Sequence, residues 1–196
     1  MQGTVHGCSS LMRLATVLSL CWLGQVQAAE PRVVILQADE GEHLTRRWGY
    51  PLTIKVDPLT AGATQFSIGT EDIAPGKAIP VHRHMHAEEV VIVQSGTVLA
   101  RVGEQAVKVE AGGMAFAPAN TWMSFENIGS TPARVIWVFP KPGFEEYVRA
   151  TSVPAGQPAV PFTAAELSVI RERYKDHIDL AQPTTAAYQT EVTPKE

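Results

Sequence analysis

Between Leu52 and Phe139 the chain is a succession of short apolar runs. They are TQFSIGT (64–70), EVVIVQSG (89–96), TVLARVG (97–103), QAVKVEAG (105–112), MAFAPAN (114–120) and ARVIWVF (133–139). Most are rich in Val, Ile, Phe or Thr, and Gly, Pro, Asn or Ser separates them at intervals of about 8–12 residues. That rhythm belongs to an all-β sandwich or barrel. Within TVLARV, Val98, Ala100 and Val102 fall on one face and Thr97, Leu99 and Arg101 on the other, the period of two that a half-buried strand requires. Ser95-Gly96 and Gly103-Glu104 read as tight hairpins.

The flanks differ from this region. Leu14 to Gly24 reads LATVLSLCWLG, uncharged, with Arg13 before it and Gln25-Val26-Gln27-Ala28 after it. A basic flank, a short apolar core and a small-residue exit predict a secretory signal peptide cleaved after Ala28, too short to cross a membrane. The mature chain is then expected in the periplasm or outside the cell. Cys8 and Cys21 both lie in that leader, so no disulfide or thiolate chemistry is expected afterwards. With 16 Lys and Arg against 20 Asp and Glu, the net charge is −4 and no basic run occurs. This balance argues against nucleic acid as a partner and against membrane insertion after processing, leaving a small molecule.

After Pro140, Pro142 to Val148 is suited to a short helix, and Val153 to Pro161 reads as a linker. Thr163-Ala164-Ala165-Glu166 is a capping box opening a helix to about His177, with Leu167, Ile170 and Tyr174 on one stripe. That helix is expected against the barrel exterior or a second subunit. The organisation expected is a signal peptide (1–28), an N-terminal arm (29–50), a barrel (51–140), a C-terminal helical extension (141–180) and a loose tail (181–196).

The chemistry concentrates in Pro80-Val81-His82-Arg83-His84-Met85-His86-Ala87-Glu88-Glu89, which holds three of the six histidines. On an extended strand His82 and His84 point the same way, with His86 in the same register. Glu89 follows a four-residue loop and opens the next apolar run, placed to return a carboxylate to the two imidazoles. Two histidines and a carboxylate suit Fe, Mn, Ni, Zn or Cu with coordination positions left open. The plainer alternative is three histidines on a solvated edge strand. Glu88 competes with Glu89, but neighbours on a strand face opposite ways and only one can reach the site.

The spacing Gly76, five residues, His82, one, His84, four, Glu89, six, Gly96 resembles the first signature motif of the cupin superfamily, in its germin-like form. Gly112, Pro118 and Asn127 stand where the second motif has Gly, Pro and Asn. Asn120 replaces the usual turn glycine, which Asn tolerates because it enters the left-handed region readily. Met123 stands where the family places a fourth ligand, a histidine.

Residues 121–129 and 136–147 are similar to the last barrel strands and first exterior helix of small bacterial single-domain cupins, many described as quercetin-dioxygenase-like. The resemblance covers roughly residues 64–150. It implies a double-stranded β-helix, a jelly-roll barrel with the site at its mouth and a helical extension after it. It also implies a divalent transition metal on His82, His84 and Glu89, with Glu89 doubling as proton acceptor, and dioxygenase-type oxidation of a small enol, catechol or flavonol-like compound. A homodimer formed through the strands is a further implication.

Met123 leaves three readings open: His86 swings in as a replacement ligand, the site prefers copper, or the barrel binds an organic ligand without metal. Met123 also serves as plain core filler. Val91, Val93, Phe116, Phe125 and Trp137 are the expected interior walls. His43 with Arg46 and Arg47 reads as a solvated patch, and His177 as a cation in the last turn of the helix. No nucleophile elbow and no phosphate loop is present.

Overall fold

Alternating runs become two antiparallel sheets because each strand must bury one face against another layer. The computed structural model describes residues 29–159 and 161–181, so the leader and the tail from Gln182 lie outside the described residues. The strands are β1 (Glu42–Arg46), β2 (Pro51–Val56), β3 (Ser67–Ile73), β4 (Ala78–Arg83), β5 (Glu89–Ser95) and β6 (Thr97–Val102). They continue with β7 (Gln105–Glu110), β8 (Met114–Ala117), β9 (Met123–Asn127), β10 (Ala133–Phe139), β11 (Ser152–Pro154) and β12 (Asp179–Leu180). The helices are α1 (Phe144–Ala150) and α2 (Ala164–Tyr174).

One sheet runs β11-β1-β2-β3-β10-β5-β8 and the other β12-β4-β9-β6-β7. Both draw strands from the flanks of 51–140: β1 from the N-terminal arm, β11 and β12 from the C-terminal extension. One core cluster lies between the sheets, with Ile73, Val91, Val93 and Val135 from the first facing Val98, Ala100, Met123 and Phe125 from the second. A second cluster joins Leu52, Ile54, Trp137 and Phe139 to Phe144, Tyr147 and Val148 of α1 and to Tyr174 of α2. The extension therefore packs on the barrel. Arg149 of α1 reaches Glu42 of β1, with Nε 3.0 Å from Oε1, and Asp57, with Nη1 2.7 Å from Oδ2.

Local chemistry agrees with the sequence at several points. Gly103-Glu104 is a two-residue hairpin, with Val102 opposite Gln105 and Gly103 at φ 58°. The capping box of α2 is formed in both directions by Thr163 and Glu166. Buried Asn127 donates from Nδ2 to the carbonyls of Ile73 (2.7 Å) and Thr131 (2.8 Å) and accepts from Gly129 N–H (2.9 Å), fixing the turn after β9.

Three expectations are corrected. Ser95-Gly96 is not a hairpin, because β5 and β6 belong to different sheets; Gly96, at φ 80°, carries the chain across from one to the other. Phe116 is not an interior wall and is 51% exposed. Its strand pairs Ala117 with Glu89 and Ala115 with Val91, and those pairs take the inner face. The helix from Thr163 ends at Tyr174, three residues before His177.

Candidate metal centre

His82 closes toward the end of β4, His84 follows that strand directly, and Glu89 is the first residue of β5. All three are buried, at 5%, 1% and 5% exposure. Glu89 Oε2 lies 3.4 Å from His84 Nε2 and 3.9 Å from His82 Nε2. One ligand atom from each residue falls within 4.8 Å of the others.

Hydrogen bonds decide which ring nitrogen is free. His82 Nδ1–H donates to the Pro80 carbonyl at 2.7 Å, and His84 Nδ1–H donates to the His177 carbonyl at 2.7 Å. A carbonyl only accepts, so each proton sits on Nδ1 and each Nε2 keeps its lone pair for the centre. His84 Nε2 and Glu89 Oε2 are sealed from solvent and have no hydrogen-bond partner. Buried acceptors left facing one another fit a divalent cation, which satisfies all of them at once.

The His84 ring is held edge-on by Phe139 and Phe144, with ring centroids 4.6 and 5.0 Å away. His177 lies three residues past the end of α2, and it meets the site through its backbone carbonyl. Gly143 sets its position: at φ 141° it has no room for a Cβ, which would stand 2.4 Å from the His177 ring. β12 completes the clamp by pairing Leu180 with His82 and Asp179 with Arg83. The C-terminal extension thus supports the candidate metal centre.

The other candidates lie elsewhere. The side chain of His86 is 73% exposed and stands 4.0 Å from Asp176. Glu88 is exposed. Met123 is 2% exposed and is the cross-strand partner of His82 in the β4–β9 ladder, within the core cluster between the sheets. Asn120 is the one non-glycine residue of positive φ among the described residues (63°). It accepts from Arg83 Nη1 through Oδ1 at 3.0 Å.

His82 and Glu89 open on a cavity lined also by Arg46, Trp48, Glu71, Trp137, Ile178 and Leu180. Its free volume is about 450 Å3, part of it open to solvent. Arg46, read from sequence as part of a solvated patch, is instead 3% exposed. Glu71 is 4% exposed with Oε1 unpartnered. Burial holds its carboxyl above the usual carboxylate range; Arg46 pulls it down and Glu89 adds to the rise. Period-two counting was the available signal: Leu44 and Arg46 share the buried face of β1, and Glu71 and Ile73 that of β3. Gly69 on the same face of β3 clears space for the Trp137 indole, whose Cζ2 a Cβ would meet at 2.1 Å.

Burial, reinforced by His84, pushes the His82 imidazole down to about 4, against the pull of Glu89. In metal-free protein the folded chain therefore resists protonation while the unfolded chain takes up a proton near pH 6.5. Stability from this group is whole above pH 6.5 and falls as pH drops toward 4, by about 3 kcal/mol. Glu71 acts in the opposite sense, so the contribution is read as the native chain minus His82→Asn. Urea unfolding of metal-free protein from pH 7 to 4 is expected to show that difference shrinking by about this amount.

A family model described as "Cupin domain" matches residues 69–139. The chain is 27% identical over 93 residues to the tetracenomycin polyketide synthase protein TcmJ of Streptomyces glaucescens, covering 47% of this chain and 62% of that protein. It is 38% identical over 78 residues to germin-like protein 3-8 of rice, Oryza sativa subsp. japonica, over 37% of this chain and 35% of that one. The chain thus spans less than two thirds of either relative. Among solved structures, an RmlC-like cupin from Shewanella frigidimarina superposes with a TM-score of 0.50 at 18% identity. That match covers 62% of this chain and 99% of the other and supports the jelly-roll fold.

Proposed function

We propose that this chain, a member of the cupin superfamily through its domain at residues 69–139, is a metal-dependent oxidoreductase of dioxygenase type. The observation that carries the reading is the meeting of His82 Nε2, His84 Nε2 and a Glu89 oxygen within 4.8 Å in a buried site. Fe, Mn, Ni, Zn and Cu are all compatible with that donor set. A divalent ion there supplies Lewis-acid polarisation of an enol or phenol oxygen and, if redox-active, a route for electrons toward dioxygen. The chain's own residues do the rest. His82 and His84 hold their lone pairs in fixed directions, Glu89 binds and can accept the substrate's hydroxyl proton, and Trp48, Ile178 and Leu180 exclude water. Relation to a protein named for polyketide synthesis supports an organic partner. The proposal includes export through the leader at 1–28.

Metal analysis of the purified chain with oxygen uptake on catechol tests this. Near one iron or manganese per chain and catechol-dependent uptake support it. Metal-free protein that consumes no oxygen after reconstitution contradicts it.

Met123, opposite His82, favours a second reading: a non-catalytic binder of copper or of a small molecule, since a soft thioether suits copper better than iron or manganese. Met123→His is expected to add a ligand and tighten Mn(II) binding by about tenfold or more, measured by competition titration. Stoichiometric copper in the native chain, with no oxygen uptake, favours the binder.

A further inference from the structure

The cavity beside the metal centre has a second polar wall that none of the ligands uses. Arg46 ends β1 with its side chain turned inward, and its Nε and Nη1 are sealed from solvent without a hydrogen-bond partner. The rings of Trp48 and Tyr147 flank the guanidinium, 4.9 and 5.8 Å from its carbon. Those contacts hold the cation through ring faces and leave its N–H groups unused. Trp137 Nε1 and Glu71 Oε1, on the wall of the same cavity, are likewise unpartnered. Arg46 is close enough for its charge to act on both Glu71 and His82.

Buried guanidinium groups are almost always paired, so the unused donors mark the place of a ligand atom. A divalent ion on two neutral imidazoles and one carboxylate leaves the centre at net +1. Arg46 adds a second positive charge, and even an ionised Glu71 leaves the wall positive. The planar fork of an arginine matches the two oxygens of a carboxylate. We infer that the ligand of this cavity is a small carboxylate, its carboxylate group on Arg46 and a neighbouring hydroxyl, enol or keto oxygen turned toward His82 and Glu89. The inference rests on the metal-centre reading and narrows its substrate class to hydroxy-, enol- or keto-acids.

The test is calorimetric titration of the Co(II)-loaded full chain with glycolate, pyruvate, catechol and inorganic phosphate. The native chain is expected to bind glycolate or pyruvate more tightly than catechol or phosphate. Arg46→Met is expected to keep its Co(II) stoichiometry, lose about tenfold or more in carboxylate affinity and change little toward catechol. Arg46→Lys, which keeps the charge without the fork, should fall between and covers the case in which the Met variant does not fold. Equal carboxylate affinity in native and variant chains overturns the inference while leaving the metal reading intact. Preference for phosphate or catechol in the native chain does the same. Failure of the native chain to take up Co(II) overturns the metal reading instead. The inference is then judged on metal-free protein, where a rise in melting temperature with glycolate or pyruvate that Arg46→Met abolishes supports it, and no rise overturns it.

Discussion

Glu89→Gln is expected to weaken Mn(II) or Co(II) binding by more than about 100-fold, because loss of even a supporting group around a metal costs about 10–100-fold and Glu89 is the only charged member of the proposed ligand set. The exchange alters no shape, and the two imidazoles keep their bonds to the Pro80 and His177 carbonyls. Its effect on the metal-free fold is expected to be nil or stabilising. A buried carboxylate whose Oε2 has no partner is costly in the absence of an ion. Competition titration and melting of the metal-free forms separate the two effects. Unchanged affinity in the variant places the ion elsewhere; a metal-free form that no longer folds makes Glu89 structural.

Arg149→Met is expected to destabilise the chain by about 3–5 kcal/mol, the cost of stranding a buried charge. Asp57 is fully buried and its Oδ2 lies 2.7 Å from Arg149 Nη1. Its Oδ1 is already committed to the N–H groups of Leu59 and Thr60. Burial works to raise the Asp57 carboxyl, but the bonds from Arg149 and Thr60 outweigh it and hold the group below the usual carboxylate range. The pair's stability is therefore present above the unfolded carboxylate pKa and is lost as pH falls through the folded one. Urea unfolding at pH 7 is expected to show the loss, and adding Asp57→Asn to recover part of it. A loss below about 1 kcal/mol would mean that solvent screens the pair as it does at a surface.

The strands were largely legible because their apolar alternation is local. Ala133 to Phe139 is read to the residue, bounded by Pro132 and Pro140 and buried at alternate positions. The imidazole and carboxylate spacing was equally plain, since a strand and a four-residue loop leave little freedom. Gly96 was misread because a glycine after a strand looks alike whether the chain turns back or crosses to another sheet. Arg46 was misread because charge outweighed its place on the face shared with Leu44. The support of His84 by His177 had no signature at all: the partner is a backbone carbonyl 93 residues away, delivered by the packing of α2 and β12.

The central claim is that His82, His84 and Glu89 converge on one ion. Anomalous diffraction at the absorption edge of a bound transition metal, from crystals of the loaded protein, measures this directly. A single peak is expected about 2.0–2.2 Å from both Nε2 atoms and from a Glu89 oxygen. A peak outside this cavity, or none at saturating metal, contradicts the account.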